Sequence, residues 1–281
     1  MSTLSPQITA VLAQKIYTIQ NGQNVLIKAF LNQKIFSKKA GDATHLKAEV
    51  GSRLINSKDG FGMCIRGGEG HEKDIFLIFR GSTTANMCAD WISNARIGVE
   101  RSNTGLLVHI GFNSIFSSMK QSIDEFLNAN NDATGTVHCI GHSLGGAIAT
   151  LTADWINSKG RNVKLYTVAA PKAGLEFFAD RLTTKLQSKN IFRIYHATDV
   201  VPMIPVYPFA HSPYGEIGYQ LPSNSLISLP AHKMQNYINS IGTNSWDSLG
   251  AISKKDFDDR SVERWLKSEK PLNPFDVRTW D

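Results

Sequence analysis

Cysteine is scarce: the 281 residues hold three, Cys64, Cys88 and Cys139. An odd, sparse set excludes a disulfide framework, and no Cys-x-x-Cys occurs to suggest zinc. Cys64 and Cys139 sit in apolar, strand-like runs and read as small packed hydrophobes. No apolar run approaches the roughly 18 residues of a membrane-spanning helix. The first residues lack a basic start, an apolar run and a small-residue cleavage site, so no secretory signal is expected. The protein is then expected in the cytosol as made, with export by a route that reads no such peptide left open. Long linkers and internal repeats are missing too. Charged residues are 19% and hydrophobic ones 42%, which excludes a disordered chain.

The net charge is +6, from 30 basic and 24 acidic residues. Residues 1–50 carry six lysines against Asp42 and Glu49, a local balance of +4. A basic surface attracts nucleic acid, anionic lipid or an acidic protein, or is simply a solvated helix face. At the other end, 14 of the 28 residues in 254–281 are charged, interleaved with Phe257, Trp265, Phe275 and Trp280. Phe257, Ser261 and Trp265 share one helical face, so a packed amphipathic helix and tail are expected there.

Between these ends the pattern alternates. Ile8, Val11, Leu12, Ile16 and Ile19 recur at helical spacing, Asn21-Gly22 breaks it, and Val25 to Phe36 resumes it. Residues 61–67 and 75–79 read as strands joined by Gly67-Gly68-Glu69-Gly70. That join reads as a hairpin loop, since calcium-binding glycine repeats come in arrays. From 111 to 196 helical and strand patterns take turns: helix 111–130, strand 137–140, helix 144–159, strand 163–169, helix 175–186, strand 191–195. This predicts an α/β fold, a mostly parallel sheet with helices on both faces.

Gly141-His142-Ser143-Leu144-Gly145 fits G-x-S-x-G, with a predicted strand before it and a helix after it. A serine nucleophile needs that context. It must sit on a strained strand-to-helix turn, with glycines leaving room and a helix N-terminus facing the developing oxyanion. It also needs a base and an orienting acid, which follow it in the order acid, then histidine. Asp199 lies just past the strand 191–195; its rival Asp180 falls inside a helix pattern. Of the later histidines, His196 is too near Asp199 and reads as a strand-end side chain. His211 sits in a proline-rich loop and could line the site. His232 enters just before the helix 233–241 and is the favoured base.

These residues carry a resemblance. The sequence is similar to the class 3 (fungal-type) lipases of the α/β-hydrolase superfamily. The matching blocks are Ile78-Phe79-Arg80-Gly81-Ser82, Val108-His109-Ile110-Gly111-Phe112, residues 141–146, Asp199-Val200-Val201-Pro202 and His232-Lys233-Met234-Gln235-Asn236-Tyr237. The resemblance implies Ser143 as nucleophile, Asp199 as acid and His232 as base. It implies an oxyanion hole from the Ser82 and Leu144 amides, with the Ser82 hydroxyl as a further donor. His109 reads as a buried structural histidine. Residues 83–99 take the family's lid position, where Met87, Cys88, Trp91, Ile92 and Ala95 share an apolar helical face. Met87, Trp91 and Ile92 are the expected gate to the substrate. Many members carry Trp-x-x-Asp there, whereas this chain has Trp91-Ile92-Ser93-Asn94.

The implied organisation is one α/β-hydrolase domain: a helical segment over 1–60, a catalytic core over 60–240, and a helix and tail over 241–281. The implied activity is hydrolysis of lipid carboxylic esters, as a triacylglycerol lipase or a phospholipase A1, with no cofactor and no metal. The substrate would be met at a lipid–water interface through peripheral membrane contact. Nucleic acid is not expected as a partner. Two other roles stay open: an exported phospholipase toxin with a neutralising or export partner, and a non-catalytic lipid-binding protein on the same fold.

Overall fold

The structure is a computed structural model and describes residues 3–19, 24–50, 57–82, 98–222 and 229–255. The strands, in chain order, are β1 (Ala43–Val50), β2 (Ser57–Arg66), β3 (Ile75–Phe79), β4 (Val99–Arg101), β5 (Leu107–His109), β6 (Val137–His142), β7 (Val163–Val168), β8 (Gly174–Leu175), β9 (Ile191–His196), β10 (Phe209–Ala210) and β11 (Tyr219–Leu221). The helices are α1 (Pro6–Lys15), α2 (Asn24–Leu31), α3 (Ile110–Ala129), α4 (Leu144–Ser158), α5 (Glu176–Leu186), α6 (Met234–Ile241) and α7 (Trp246–Lys255).

The main sheet runs β1-β2-β3-β6-β7-β9-β11. The β1, β2 and β3 strands pair antiparallel, and every pair from β3 to β11 is parallel. Each residue of β3, β6, β7 and β9 is buried. That is why Ile75–Phe79 reads as an unbroken apolar run rather than an alternating one: helices cover both faces of a parallel sheet. One face packs on α3, α4 and α5 through Phe112, Phe116, Ile123, Ile148 and Leu182. The other packs on α1, α6 and α7 through Leu12, Ile16, Tyr237, Ile241 and Leu249.

Two expectations need correction. Residues 1–60 are not a purely helical segment, because they include β1. Its core contacts come from Leu46 and Ala48, both fully buried, on the alternate positions that a two-residue period requires. The second N-terminal helix stops at Leu31 rather than Phe36. Phe36 donates its amide to Gln33 in a turn and bridges to Gly67, packing its ring edge-on to Phe76. A small four-stranded sheet, β10-β8-β5-β4, was not anticipated, since its strands are too short for a pattern. The β2–β3 hairpin, α3, α4 and α5 fall where the pattern placed them. The amphipathic segment around Phe257 and Trp265 lies outside the described residues.

Terminal elements tie the second face together. Ser5 Oγ accepts from the Ile8 amide and Pro6 opens α1, both standard helix-start chemistry. Tyr166 of β7 accepts from the Leu4 amide at 3.1 Å, and the Trp246 indole donates to the Leu4 carbonyl at 2.7 Å.

Candidate active site

The β6 strand hands its chain directly to α4, and Ser143 is the single residue between them. Its φ is +55° and ψ −133°, a strained conformation for a residue with a side chain. The glycines around it are dictated by contact. A Cβ on Gly141 would lie 2.1 Å from the Gly145 carbonyl oxygen, and one on Gly145 would lie 2.4 Å from that of Phe79. One on Gly146 would lie 2.5 Å from the Ala170 methyl. The turn thus forces α4 against β3 and β6 at a distance only glycine allows. Gly141→Ala is expected to cost about 3 kcal/mol through overpacking against backbone. That corresponds to a fall of roughly 6–12 °C in Tm. An unchanged calorimetric Tm would refute this packing account.

The three predicted catalytic side chains converge. Ser143 Oγ and His232 Nε2 are 2.7 Å apart, and His232 Nδ1 and Asp199 Oδ2 are 2.7 Å apart. Asp199 is fully buried just past β9; Ser143 is 3% and His232 8% exposed. The carboxylate is saturated with donors. Besides His232 it accepts from Tyr237 Oη at 2.7 Å and from the Val201 amide at 3.0 Å. His232 ends a short 3-10 turn, Leu229–His232, just ahead of α6, so the helix that carries Tyr237 also places the base. The rivals fall elsewhere. Asp180 is exposed on α5, His196 is buried at the end of β9, and His211 bonds the Pro202 carbonyl at 2.6 Å.

The Ser82 loop lies against the nucleophile: a Cβ on Gly81 would sit 2.8 Å from Ser143 Cβ. Its peptide is oriented by Arg80, itself 1% exposed, whose Nε donates to Gly60 O at 2.6 Å and Nη1 to Gly81 O at 2.8 Å. In a trans peptide the N–H points opposite the C=O, so holding the Gly81 carbonyl aims the Ser82 N–H the other way. The Leu144 amide opens α4, where the first turn's N–H groups lack intrahelical acceptors and the helix dipole favours negative charge. Met87, Trp91 and Ile92, expected from the resemblance to gate the substrate, lie outside the described residues.

Further site residues escaped sequence reasoning. His142 stacks on His232 at 4.8 Å, and its Nε2 lies 3.2 Å from the His232 carbonyl. Its Nδ1 lies 2.7 Å from Tyr17 Oη, which reaches in from the N-terminal segment. Nothing in the sequence around Tyr17 signals this. Tyr237 carried a signal, its place five residues after His232, but no role.

Burial keeps several imidazoles neutral. Desolvation lowers His142 well below the ordinary value, and lowers His138. It brings His109, which caps α3 by accepting from the Gly111 amide, to about 4. Depressed folded values mean that the unfolded chain takes up protons first as pH falls. The stability these groups contribute is complete above about 6.5 and is lost down through the folded values. From His109 alone the loss reaches about 3 kcal/mol by pH 4. The Tm is expected to fall between pH 7 and pH 5, and to fall less in His109→Phe. A Tm that rises over that interval would contradict this.

A parallel sheet with a strained serine elbow between strand and helix, followed by acid and then histidine, defines the α/β-hydrolase fold with a Ser-His-Asp triad. Within that class the chain matches the model of the class 3 lipase family over residues 76–209. It is 32% identical over 143 residues to secreted mono- and diacylglycerol lipase 1 of Fusarium solani, covering 50% of this chain and 41% of that protein. It is 29% identical over 156 residues to the chloroplastic phospholipase A(1) DAD1 of Arabidopsis thaliana, covering 47% and 34%. The chain therefore spans half or less of the length of these curated relatives. Among solved structures it resembles the nonglycosylated LIP2 lipase of Yarrowia lipolytica. The TM-score is 0.57 at 20% identity, over 78% of this chain and 79% of that one, which is a likeness of fold.

Proposed function

We propose that the chain hydrolyses carboxylic esters of lipids through an acyl-enzyme. The observation that carries this is the unbroken relay from Ser143 through His232 to a buried Asp199. His232 Nε2 takes the Ser143 proton as Oγ attacks the ester carbonyl. The amides of Ser82 and Leu144, with the Ser82 hydroxyl, hold the oxyanion. His232 then gives its proton to the leaving alcohol, and the acyl group stays on Ser143. Water, deprotonated by His232, releases the fatty acid and restores the serine. Asp199 keeps the imidazole in the tautomer with its proton on Nδ1 and stabilises the imidazolium. No step calls for a cofactor.

The relatives named above include both a mono- and diacylglycerol lipase and a phospholipase A1, and both cleave the ester class this relay suits. Peripheral contact with a lipid–water interface is supported by large aromatics left in solvent. Phe177 is 81% and Tyr207 78% exposed, on segments joined by the Glu176 amide donating to Pro208 O. A fatty-acid release assay on phospholipid vesicles, triolein emulsion and a soluble short-chain ester tests the reading. Release from a lipid substrate, faster from aggregates than from monomers, is expected. Turnover of the soluble ester alone would reduce the reading to a plain esterase, and no turnover of any would sink it.

A further inference from the structure

The β2–β3 hairpin loop holds a second constellation, at the opposite end of the sheet from Ser143. His71 Nδ1 lies 2.7 Å from Asp74 Oδ2, and His138 Nε2 lies 3.3 Å from the same oxygen. The three ligand atoms fall within 4.8 Å of one another. His138 is the second residue of β6, five positions before Ser143. At about 3.3 Å per residue this puts the cluster roughly 16 Å from the nucleophile. It plays no part in the ester chemistry.

We propose that His71, Asp74 and His138 form a binding site for one divalent transition-metal ion of the zinc type. The donor set decides the class. Two imidazoles and one carboxylate match zinc sites, whereas calcium and magnesium require mostly oxygen. Tetrahedral ligands about 2.0–2.1 Å from zinc are roughly 3.3 Å apart, which is the present His138–Asp74 spacing. The His71–Asp74 contact has to open by about half an ångström, and the His71 and His138 ligand nitrogens, which lie within 4.8 Å of each other, have to settle at the same spacing, a side-chain rotation for a loop residue.

The glycine-rich loop fixes these ligands from behind. The amides of His71 and Asp74 donate to Gly68 O and His71 O, and the Gly67 amide donates back to Asp74 O, all within 2.9 Å. The Thr136 amide holds the other carboxylate oxygen, Asp74 Oδ1, at 2.8 Å, leaving Oδ2 towards the imidazoles. Such outer contacts orient metal ligands. The His138 ring is pinned by stacking on Phe76 at 4.8 Å. Burial favours its neutral form, the form that binds metal. His71 and Asp74 keep 15% and 11% of their side-chain surface, so solvent can supply the fourth ligand. One group opposes the ion. Lys164 faces His138 across β6 and β7, and its ammonium interacts with both Asp74 and His138. The ion would cross-link the hairpin loop to β6, a structural site rather than a catalytic one.

The test is a zinc titration of the full chain against a chromophoric chelator, repeated on variants. One zinc per chain is expected, retained in Ser143→Ala and weakened at least about tenfold in His138→Ala and His71→Ala, the loss that disturbing a metal's ligand shell brings. His71 lies in a loop, so its variant keeps the inference testable if His138→Ala does not fold. Lys164→Met is expected to tighten binding, because it removes a positive charge beside the ion. No zinc bound to the wild-type chain, or a zinc retained at full affinity in His71→Ala, would overturn the assignment.

Discussion

Ser143→Ala is expected to lower ester turnover by a factor of about 10⁶ while leaving the fold intact, the size of loss when a triad serine is removed. The geometry makes the variant clean. Alanine has the same φ preference as serine, so the strain at +55° is unchanged. The elbow's contacts come from Gly141, Gly145 and Gly146, none of which is touched. What is lost is one hydrogen bond, from Oγ to His232 Nε2 at 2.7 Å, worth about 1 kcal/mol of stability. A fluorophosphonate that labels the wild-type protein should fail to label the variant. Tm should stay within a few degrees. Unreduced fatty-acid release by Ser143→Ala would remove the nucleophile assignment and the reading built on it. A binding-only role predicts instead that the wild-type protein resists the label.

How far this site could be read in advance depends on where its constraints lie. Ser143, Asp199 and His232 were legible because each occupies a position with its own local signature. The serine has flanking glycines, the acid follows a strand, and the histidine precedes a helix. The parallel core was legible because strands covered on both faces are apolar throughout. The β1 strand was not. At a sheet edge, its buried Leu46 and Ala48 alternate with Lys47 and Glu49, and a short alternating run among lysines resembles a solvated face. The helix α7 falls within the helix and tail expected over 241–281, but its bounds were not legible because its partner contacts are remote: Trp246 packs on Tyr219 and Phe192. Tyr17 and His142 were illegible as site residues for the same reason. Their hydrogen bond spans 125 positions, and no periodicity encodes it. The same limit hid the zinc-type cluster, whose His71 and Asp74 are three apart but whose His138 comes from a different strand.

Asp199→Asn should lower kcat by about 10⁴-fold with little change in KM, the scale of loss when a triad aspartate becomes an amide. The cause lies in who faces each carboxylate oxygen. Oδ2 meets two donors, His232 Nδ1–H and Tyr237 Oη–H, and Oδ1 meets a third, the Val201 amide. An asparagine must turn its NH₂ towards one side or the other. Turned to the Oδ2 side, it meets the imidazole and forces the proton from Nδ1 to Nε2. His232 then presents a donor to Ser143 and cannot accept its proton. Turned to the Oδ1 side, it meets the fixed Val201 N–H inside a fully buried pocket, leaving a donor unpaired at a cost of about 1–3 kcal/mol. Tyr237→Phe separates orientation from charge. It removes one of three donors and leaves the carboxylate and the tautomer in place, so a loss of roughly tenfold is expected, the size of one such bond. A kinetic comparison of the two variants decides the matter. If Tyr237→Phe proved as damaging as Asp199→Asn, the tyrosine rather than the carboxylate would be setting the position of His232. If Asp199→Asn kept wild-type kcat, the tautomer account of this triad would be wrong.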